Sequence, residues 1–199
     1  MSTQNSRPLD RRRAVARILR ERGDALVVTS LGNPTFDVAA AGDRAQNFYL
    51  WGAMGGAVMV GLGLAQAQPG KRVIVFVGDG EMMMGIGSLA TVAVQGAPNL
   101  SVVVIDNEHY AETGMQPAHA GRGADIAGIA RASGFDAAAQ VRTEAELERA
   151  AQQILHGAGP VLVTVKVSTD PQPVALPPRD GPYLRSRFRE ALLGTDAHQ

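Results

Sequence analysis

Two apolar runs, Val73-Ile-Val-Phe-Val77 and Leu100-Ser-Val-Val-Val-Ile105, limit what this chain can fold into more than any other feature, and each stops on a polar cluster. Neither run alternates apolar with polar residues. An uninterrupted run of this kind is the pattern of a strand buried on both faces, as in parallel sheets whose crossover helices cover both sides. The segment between them has helical spacing from about Met82 to Gln95, which makes a βαβ unit. A right-handed crossover then brings the C-terminal ends of both strands to the same edge of one sheet.

The rest of the chain extends this alternation. Helical spacing from Asp10 to Arg22 precedes a short strand at Ala25–Thr29, bounded by the turn residues Gly32-Asn33-Pro34. Asn47–Trp51 reads as a second strand and Met54–Gln68 as a Gly/Ala-rich helix, able to lie very close to its own sheet or to another subunit. A Gly-rich loop over 108–123 leads to a helix at 126–132 and a weak strand from Phe135. A helix capped by Thr143 and Glu146 follows, then a last strand at 161–167. The expected fold class is α/β, with three α/β/α layers around a central, mostly parallel six-stranded sheet. The expected organisation is a basic helix over residues 1–23, one ligand-binding domain over 24–169, and a Pro-rich extended arm with a closing helix over 170–199.

Composition removes several function classes. Lys+Arg and Asp+Glu are 19 each, so no net field draws the chain to nucleic acid or to a membrane. Cysteine is absent, which excludes disulfides, thiolate metal sites and cysteine nucleophiles together. Arg7, Arg11, Arg12, Arg13, Arg17, Arg20 and Arg22 crowd the N-terminus with no long apolar stretch behind them. We read them as the solvated face of a helix with Ala14, Val15, Ile18 and Leu19 inward, and expect a soluble cytoplasmic protein.

The chemistry lies at the two strand ends. Gly78-Asp79-Gly80 follows the first run and Asn107 follows the second, 28 residues after Asp79. Ligands of open α/β sheets bind at this edge, where helix N-termini attract phosphate. A carboxylate placed beside a phosphate group calls for a cation between them, and Mg²⁺ suits a site of one carboxylate, one amide oxygen and a backbone carbonyl. Gly78 and Gly80 let the backbone approach the phosphates. Asp-Gly alone is ordinary turn chemistry, but its pairing with Asn107 outweighs that reading.

Gly78-Asp79-Gly80, then 26 residues, then Asn107 resembles the metal-diphosphate motif of thiamine-diphosphate enzymes. Within them, Thr29–Asp37, Asn47–Gly55, Gly87–Thr91 and Asp106–Gln116 resemble the β subunit of sulfopyruvate decarboxylase and the C-terminal half of phosphonopyruvate decarboxylase. The resemblance implies a thiamine-diphosphate-binding fold, with thiamine diphosphate and Mg²⁺ as cofactors. It implies that the Gly52 carbonyl meets the coenzyme's pyrimidine amino group, that Met54 is the wedge bending the coenzyme, and that Mg²⁺ is held by Asp79, Asn107 and the backbone carbonyl of His109. The wider cofactor-binding set adds Gly78, Gly80, Glu81, Met82 and Tyr110.

The implied reaction is decarboxylation of a short 2-oxoacid with an anionic tail, such as 3-sulfopyruvate or 3-phosphonopyruvate. The implied partner is a separate pyrimidine-binding subunit that supplies the activating glutamate, since one domain exhausts this length; the expected assembly is a hetero-oligomer. Glu81, at the start of the helix, is expected to favour the helix N-terminus or stand behind the metal. His109, Glu112 and His119 are candidate catalytic groups on the loop, with a solvent-exposed role as the alternative for each. Met54 has core filling as its alternative. Ala111 and Met115 depart from the pattern, standing where glycines are expected. A carboligase with the same cofactor site and a non-catalytic regulatory homologue are the rival functions. Gly61-Leu62-Gly63 lies inside a helical stretch and does not make a dinucleotide fingerprint.

Overall fold

The computed structural model describes residues 8–198; Arg7, the first arginine of the basic stretch, lies outside them. Strands β1 (Leu26–Thr29), β2 (Asn47–Tyr49), β3 (Val73–Gly78) and β4 (Leu100–Asp106) are followed by a small hairpin of β5 (His109–Tyr110) and β6 (Gln116–Pro117), then by β7 (Ala137–Val141) and β8 (Val161–Lys166). Helices α1 (Arg11–Leu19), α2 (Gly32–Ala40), α3 (Ala57–Ala67), α4 (Asp79–Met84), α5 (Ser88–Gln95), α6 (Ile126–Ala132), α7 (Glu144–His156) and α8 (Gly181–Leu193) complete the fold.

Six strands form one sheet in the order β2-β1-β3-β4-β8-β7, and every pair is parallel. Side-chain alternation along each strand feeds two separate cores. Ile74, Phe76, Val103 and Ile105 face the layer of α1, α2 and α7. Val73, Val75, Val77, Val102 and Val104 face α3, α4, α5 and α6. These are the three layers expected from the runs. At ~1.5–3 kcal/mol for each fully buried Val, Leu or Ile, the two cores supply the dominant favourable term of folding.

Helix α8 covers the β2 edge. Its Leu184 enters one core and Phe188 the other, Phe188 lies 5.2 Å from Phe48, and Arg187 donates to Asp43 and to the Asn47 carbonyl. A sheet edge left bare presents unpaired backbone groups, so the closing helix ends the sheet on this side.

Four local expectations change. Asn33-Pro34 bounds no turn: it sits in the first turn of α2, where proline's missing N–H costs nothing. The helix expected over 82–95 is two helices, with Asp79 already in the first. It breaks because a Cβ on Gly85 would lie 2.1 Å from the Gly55 carbonyl oxygen, so the backbones of the two turns touch. Arg11 is not on a solvated face. It is 5% exposed and donates to Asp37 at 2.5 Å, joined there by Arg12 at 3.1 Å. The arm over 170–180 has no regular structure, as expected, but it lies back on its own chain. There Trp51 Nε1 donates to the Pro178 carbonyl at 2.7 Å, and Arg179 stacks 4.9 Å from the indole.

The Gly/Ala-rich helix divides its glycines. A Cβ on Gly61 would strike Val75 at 2.2 Å, so this glycine brings α3 onto the sheet, whereas Gly63 faces open space. Among the described residues no helix is long and apolar enough to cross a membrane.

Candidate active site

Strands β3 and β4 are neighbours in register, Gly78 opposite Ile105, so Asp79 and Asn107 emerge side by side at the C-terminal edge. They line a cleft of about 160 Å³ together with Arg11, Gly32, Met54, Gly78, Gly80, Glu81, His109, Tyr110 and Glu112. All of these but Arg11 and Gly32 were expected to act, and of the residues so expected the cleft leaves out three. Met82 is 1% exposed and belongs to the core under α4, so its side chain cannot reach a ligand. His119 is exposed, its Nδ1 3.3 Å from the Tyr110 hydroxyl. Gly52 lies beside the cleft, and its carbonyl accepts the Ser30 hydroxyl at 2.7 Å.

The floor of the cleft holds two buried carboxylates, Asp79 at 2% and Glu81 at 5% exposed. Oδ2 of Asp79 and Oε1 of Glu81 have no hydrogen-bond partner. Burial, reinforced by the nearby Asp106 charge, pushes the Asp79 carboxyl up to about 7, against the pull of the backbone N–H groups of Asp79 and Gly80 and of Lys166. Burial also pushes Glu81 up to about 7, opposed by the Ser30 hydroxyl and the N–H groups of Gly55 and Gly78. Orphaned oxygens and depressed acidity together mark a pocket that wants a cation.

Glu81 stands in the first turn of α4, at the helix N-terminus where it was expected. The Gly78 and Gly55 N–H groups and the Ser30 hydroxyl favour its charged form, which places the carboxyl near the turn that carries Gly52 and Met54. The turn itself is unusual: Trp51, Ala53 and Gly55 have φ of 54°, 55° and 87°. Two non-glycine residues in the left-handed region each cost ~1–2 kcal/mol, which the surrounding contacts must offset.

At the other strand end, Asn107 Oδ1 accepts the His109 N–H at 3.0 Å. An amide oxygen has two lone pairs, so one remains for a metal. The His109 ring is not free: its Nδ1 is 2.9 Å from the Asn107 carbonyl. Gly80 is required by packing, since a Cβ there would lie 2.3 Å from the Tyr110 ring. Tyr110 closes over the Gly-Asp-Gly turn from the hairpin side. Ala111 sits in a 3₁₀ turn without strain, whereas Met115, the other expected glycine, has a φ of 60°.

Sequence reading missed three groups that shape the site. Asp106 is 2% exposed and accepts from Lys166 Nζ at 2.8 Å, the two facing each other in register at the ends of β4 and β8. Lys166 also reaches Glu108 at 2.5 Å, which ties down the start of the loop. Ser30 follows β1 with no motif of its own. Asp106 beside Asn107 was the available signal for a charged strand end.

The donor set fits Mg²⁺. One carboxylate with an unpartnered oxygen, one amide oxygen and the carbonyls of the following turn are the hard oxygen ligands that ion prefers, with room for a diphosphate and water. Among the described residues no three His, Asp or Glu side chains cluster as a metal site.

The family description "Thiamine pyrophosphate enzyme, C-terminal TPP binding domain" matches residues 31–165. The chain is 35% identical to sulfopyruvate decarboxylase subunit beta of Methanothermobacter thermautotrophicus, over 94% of this chain and 97% of that one. It is 37% identical to phosphonopyruvate decarboxylase of Streptomyces viridochromogenes over 77% of this chain, spanning 38% of that protein's length. The fold superposes on benzoylformate decarboxylase from Polynucleobacter necessarius with a TM-score of 0.72 at 18% identity, over 87% of this chain and 36% of that one. Apart from Arg11, the residues lining the Asp79–Asn107 cleft lie within the matched range, and the chain belongs to the thiamine pyrophosphate enzymes, carrying their C-terminal TPP-binding domain.

Proposed function

We propose that this chain is the diphosphate-binding subunit of a two-subunit thiamine-diphosphate-dependent 2-oxoacid decarboxylase, acting on a short oxoacid with an anionic tail such as 3-sulfopyruvate. The observation that carries the cofactor half is the buried, partly orphaned Asp79 beside Asn107 at adjacent strand ends. The substrate half rests on likeness to a sulfopyruvate decarboxylase β subunit along nearly its whole length.

Asp79, Asn107 and the His109 carbonyl would hold Mg²⁺, Gly78 and Gly80 would admit the diphosphate, and the Gly52–Met54 turn would meet the pyrimidine. When bound, the coenzyme supplies the electron sink for loss of CO₂. This chain's residues bind and orient it. Glu81 holds the Gly52–Met54 turn against the Gly-Asp-Gly turn, Tyr110 shuts water out over Gly80, and the His109 ring, fixed to the Asn107 carbonyl, presents its other nitrogen for proton transfer.

A partner subunit is in keeping with the exposed apolar side chains of Met54 at 43%, Met59 at 40%, Val60 at 39%, Met84 at 58% and Val94 at 84%, carried by the Gly52–Met54 turn, α3, α4 and α5. On this reading the activating glutamate comes from the partner, and the protein works in the cytoplasm. The test is CO₂ release from a panel of 2-oxoacids by the separate and the mixed subunits. Activity only in the mixture, with 3-sulfopyruvate or 3-phosphonopyruvate preferred over pyruvate, is expected. Full turnover by this chain alone, or preference for an aromatic oxoacid, would refute it.

A further inference from the structure

Arg11 is the one Lys or Arg side chain lining the cleft, amid the carboxylates of Asp79, Glu81 and Glu112. It comes from α1, far from the coenzyme-binding turns in sequence, and it is 5% exposed. Its Nη1 donates to Asp37 Oδ1 at 2.5 Å and lies 3.5 Å from the Asn33 carbonyl; among the described residues Asp37 is its one ion-pair partner.

The charge around Asp37 does not cancel. Asp37 is fully buried and takes two guanidinium groups, Arg11 and Arg12, so one positive charge is left over. Arg12 spends its other arm on the Pro173 carbonyl of the C-terminal segment. Arg12 keeps 22% of its side chain exposed, whereas the Arg11 side chain is 6% exposed and lies on the cleft wall beside Gly32 and Asn33, the start of α2. That helix has no side-chain N-cap, so its first turn adds to the positive potential next to the guanidinium.

We propose that Arg11 is the specificity-determining residue that receives the anionic tail of the substrate, a sulfonate or phosphonate on a short 2-oxoacid. The inference rests on the decarboxylase reading above. A guanidinium held from behind by a carboxylate presents its remaining N–H donors in fixed geometry, which suits a tetrahedral oxyanion. In a cleft otherwise lined by carboxylates, such a tail has no other fixed cation of this chain to meet.

Two measurements test it. In the assembled enzyme, Arg11→Gln is expected to lower kcat/KM for 3-sulfopyruvate by ~100-fold, chiefly through KM, and for pyruvate by less than about threefold. Arg11→Lys should restore part of the preference. Asp37→Asn, which keeps the cation but loosens its hold, should lower the preference less than Arg11→Gln does. Equal losses on both substrates in Arg11→Gln, or a larger loss of preference in Asp37→Asn than in Arg11→Gln, would reduce Arg11 to a structural link.

The second measurement needs no turnover. Calorimetric titration of the chain with sulfoacetate, an unreactive short sulfonate, should show tighter binding than propionate in the wild type and equal binding in Arg11→Gln. If sulfoacetate binding depends on Arg11 while no 2-oxoacid is decarboxylated, the anion site stands and the decarboxylase reading falls. If sulfoacetate binds no better than propionate, or equally well without Arg11, the proposal is overturned.

Discussion

The floor and the rim of the cleft are built on opposite terms. The floor, at the ends of β3 and β4, is buried and closely packed: Asp79 and Glu81 have unpartnered oxygens, and the neighbouring backbones of Gly55 and Gly85 touch. The rim, from His109 through His119, is a two-residue-stranded hairpin whose Glu112, Met115 and His119 face solvent. Strain stored in the floor, as desolvated carboxylates, is released when a cation arrives. Nothing comparable is stored in Glu112 or His119. On the proposed function, affinity for the metal and diphosphate belongs to the floor, and the rim is left to suit a substrate.

The largest expected effect would sharpen this contrast. Asp79→Ala should weaken Mg²⁺-dependent thiamine-diphosphate binding by at least ~100-fold, the order expected for losing a charged ligand, without lowering the melting temperature of the empty chain. Calorimetric titration and thermal unfolding read the two halves. Unchanged affinity would erase the distinction between floor and rim.

Acidity gives the second test. Asp79 and Glu81 keep their protons in the folded chain up to pH about 7 but lose them near 4 when unfolded. Between those values the folded state binds more protons than the unfolded one. The stability of the empty chain must therefore fall as pH rises from about 4 to 7 and level off above it. Each group contributes at most roughly 3–4 kcal/mol across that window. Urea unfolding at pH 5 and pH 8 checks the sign, and Asp79→Asn should remove a large share of the slope. A stability that rises through this range would show that the floor carboxylates are already compensated.

Met54 stands between the two regions, 43% exposed on the strained turn that Glu81 holds. Met54→Ala is expected to lower kcat by ~10-fold and coenzyme affinity by less than about threefold, because the diphosphate end supplies most of the anchoring. The reverse split would make Met54 a packing residue. The smallest effects belong to the rim. Glu112→Gln and His119→Asn should each change coenzyme affinity by less than about twofold, as exposed groups with little desolvation do, and show up only in KM for the oxoacid. A tenfold loss of coenzyme affinity in either would move that residue to the floor.

How far this was legible in the sequence follows the same division. The strand ends, their pairing and the Asp79–Asn107 juxtaposition could be read because burial on both faces leaves an apolar run that nothing else produces. Helix α2 was hidden because Asn33-Pro34 carries a turn signature that a first helical turn shares. The break between α4 and α5 depends on Gly55, thirty residues earlier, meeting Gly85 in space, which no local pattern records. Arg11 was lost among its neighbours: along the chain it is one arginine of a basic helix, and only the packing of α1 on α2 singles it out. Asp106 and Lys166 were missed for the same reason, as their pairing joins residues 60 apart.

The contact between Trp51 and the C-terminal arm gives the molecule an optical readout of its own. Trp51 is the single tryptophan, it sits one residue from Gly52, and its indole is hydrogen-bonded to Pro178 and stacked under Arg179. Ultraviolet emission excited at the tryptophan band therefore reports one place only, the junction of the arm with the Gly52–Met54 turn. Detachment of the arm would remove a cation from the indole face and wet the ring, changing intensity and wavelength together. Seating of the arm can thus be followed in the unlabelled protein, in real time, as coenzyme or partner is added.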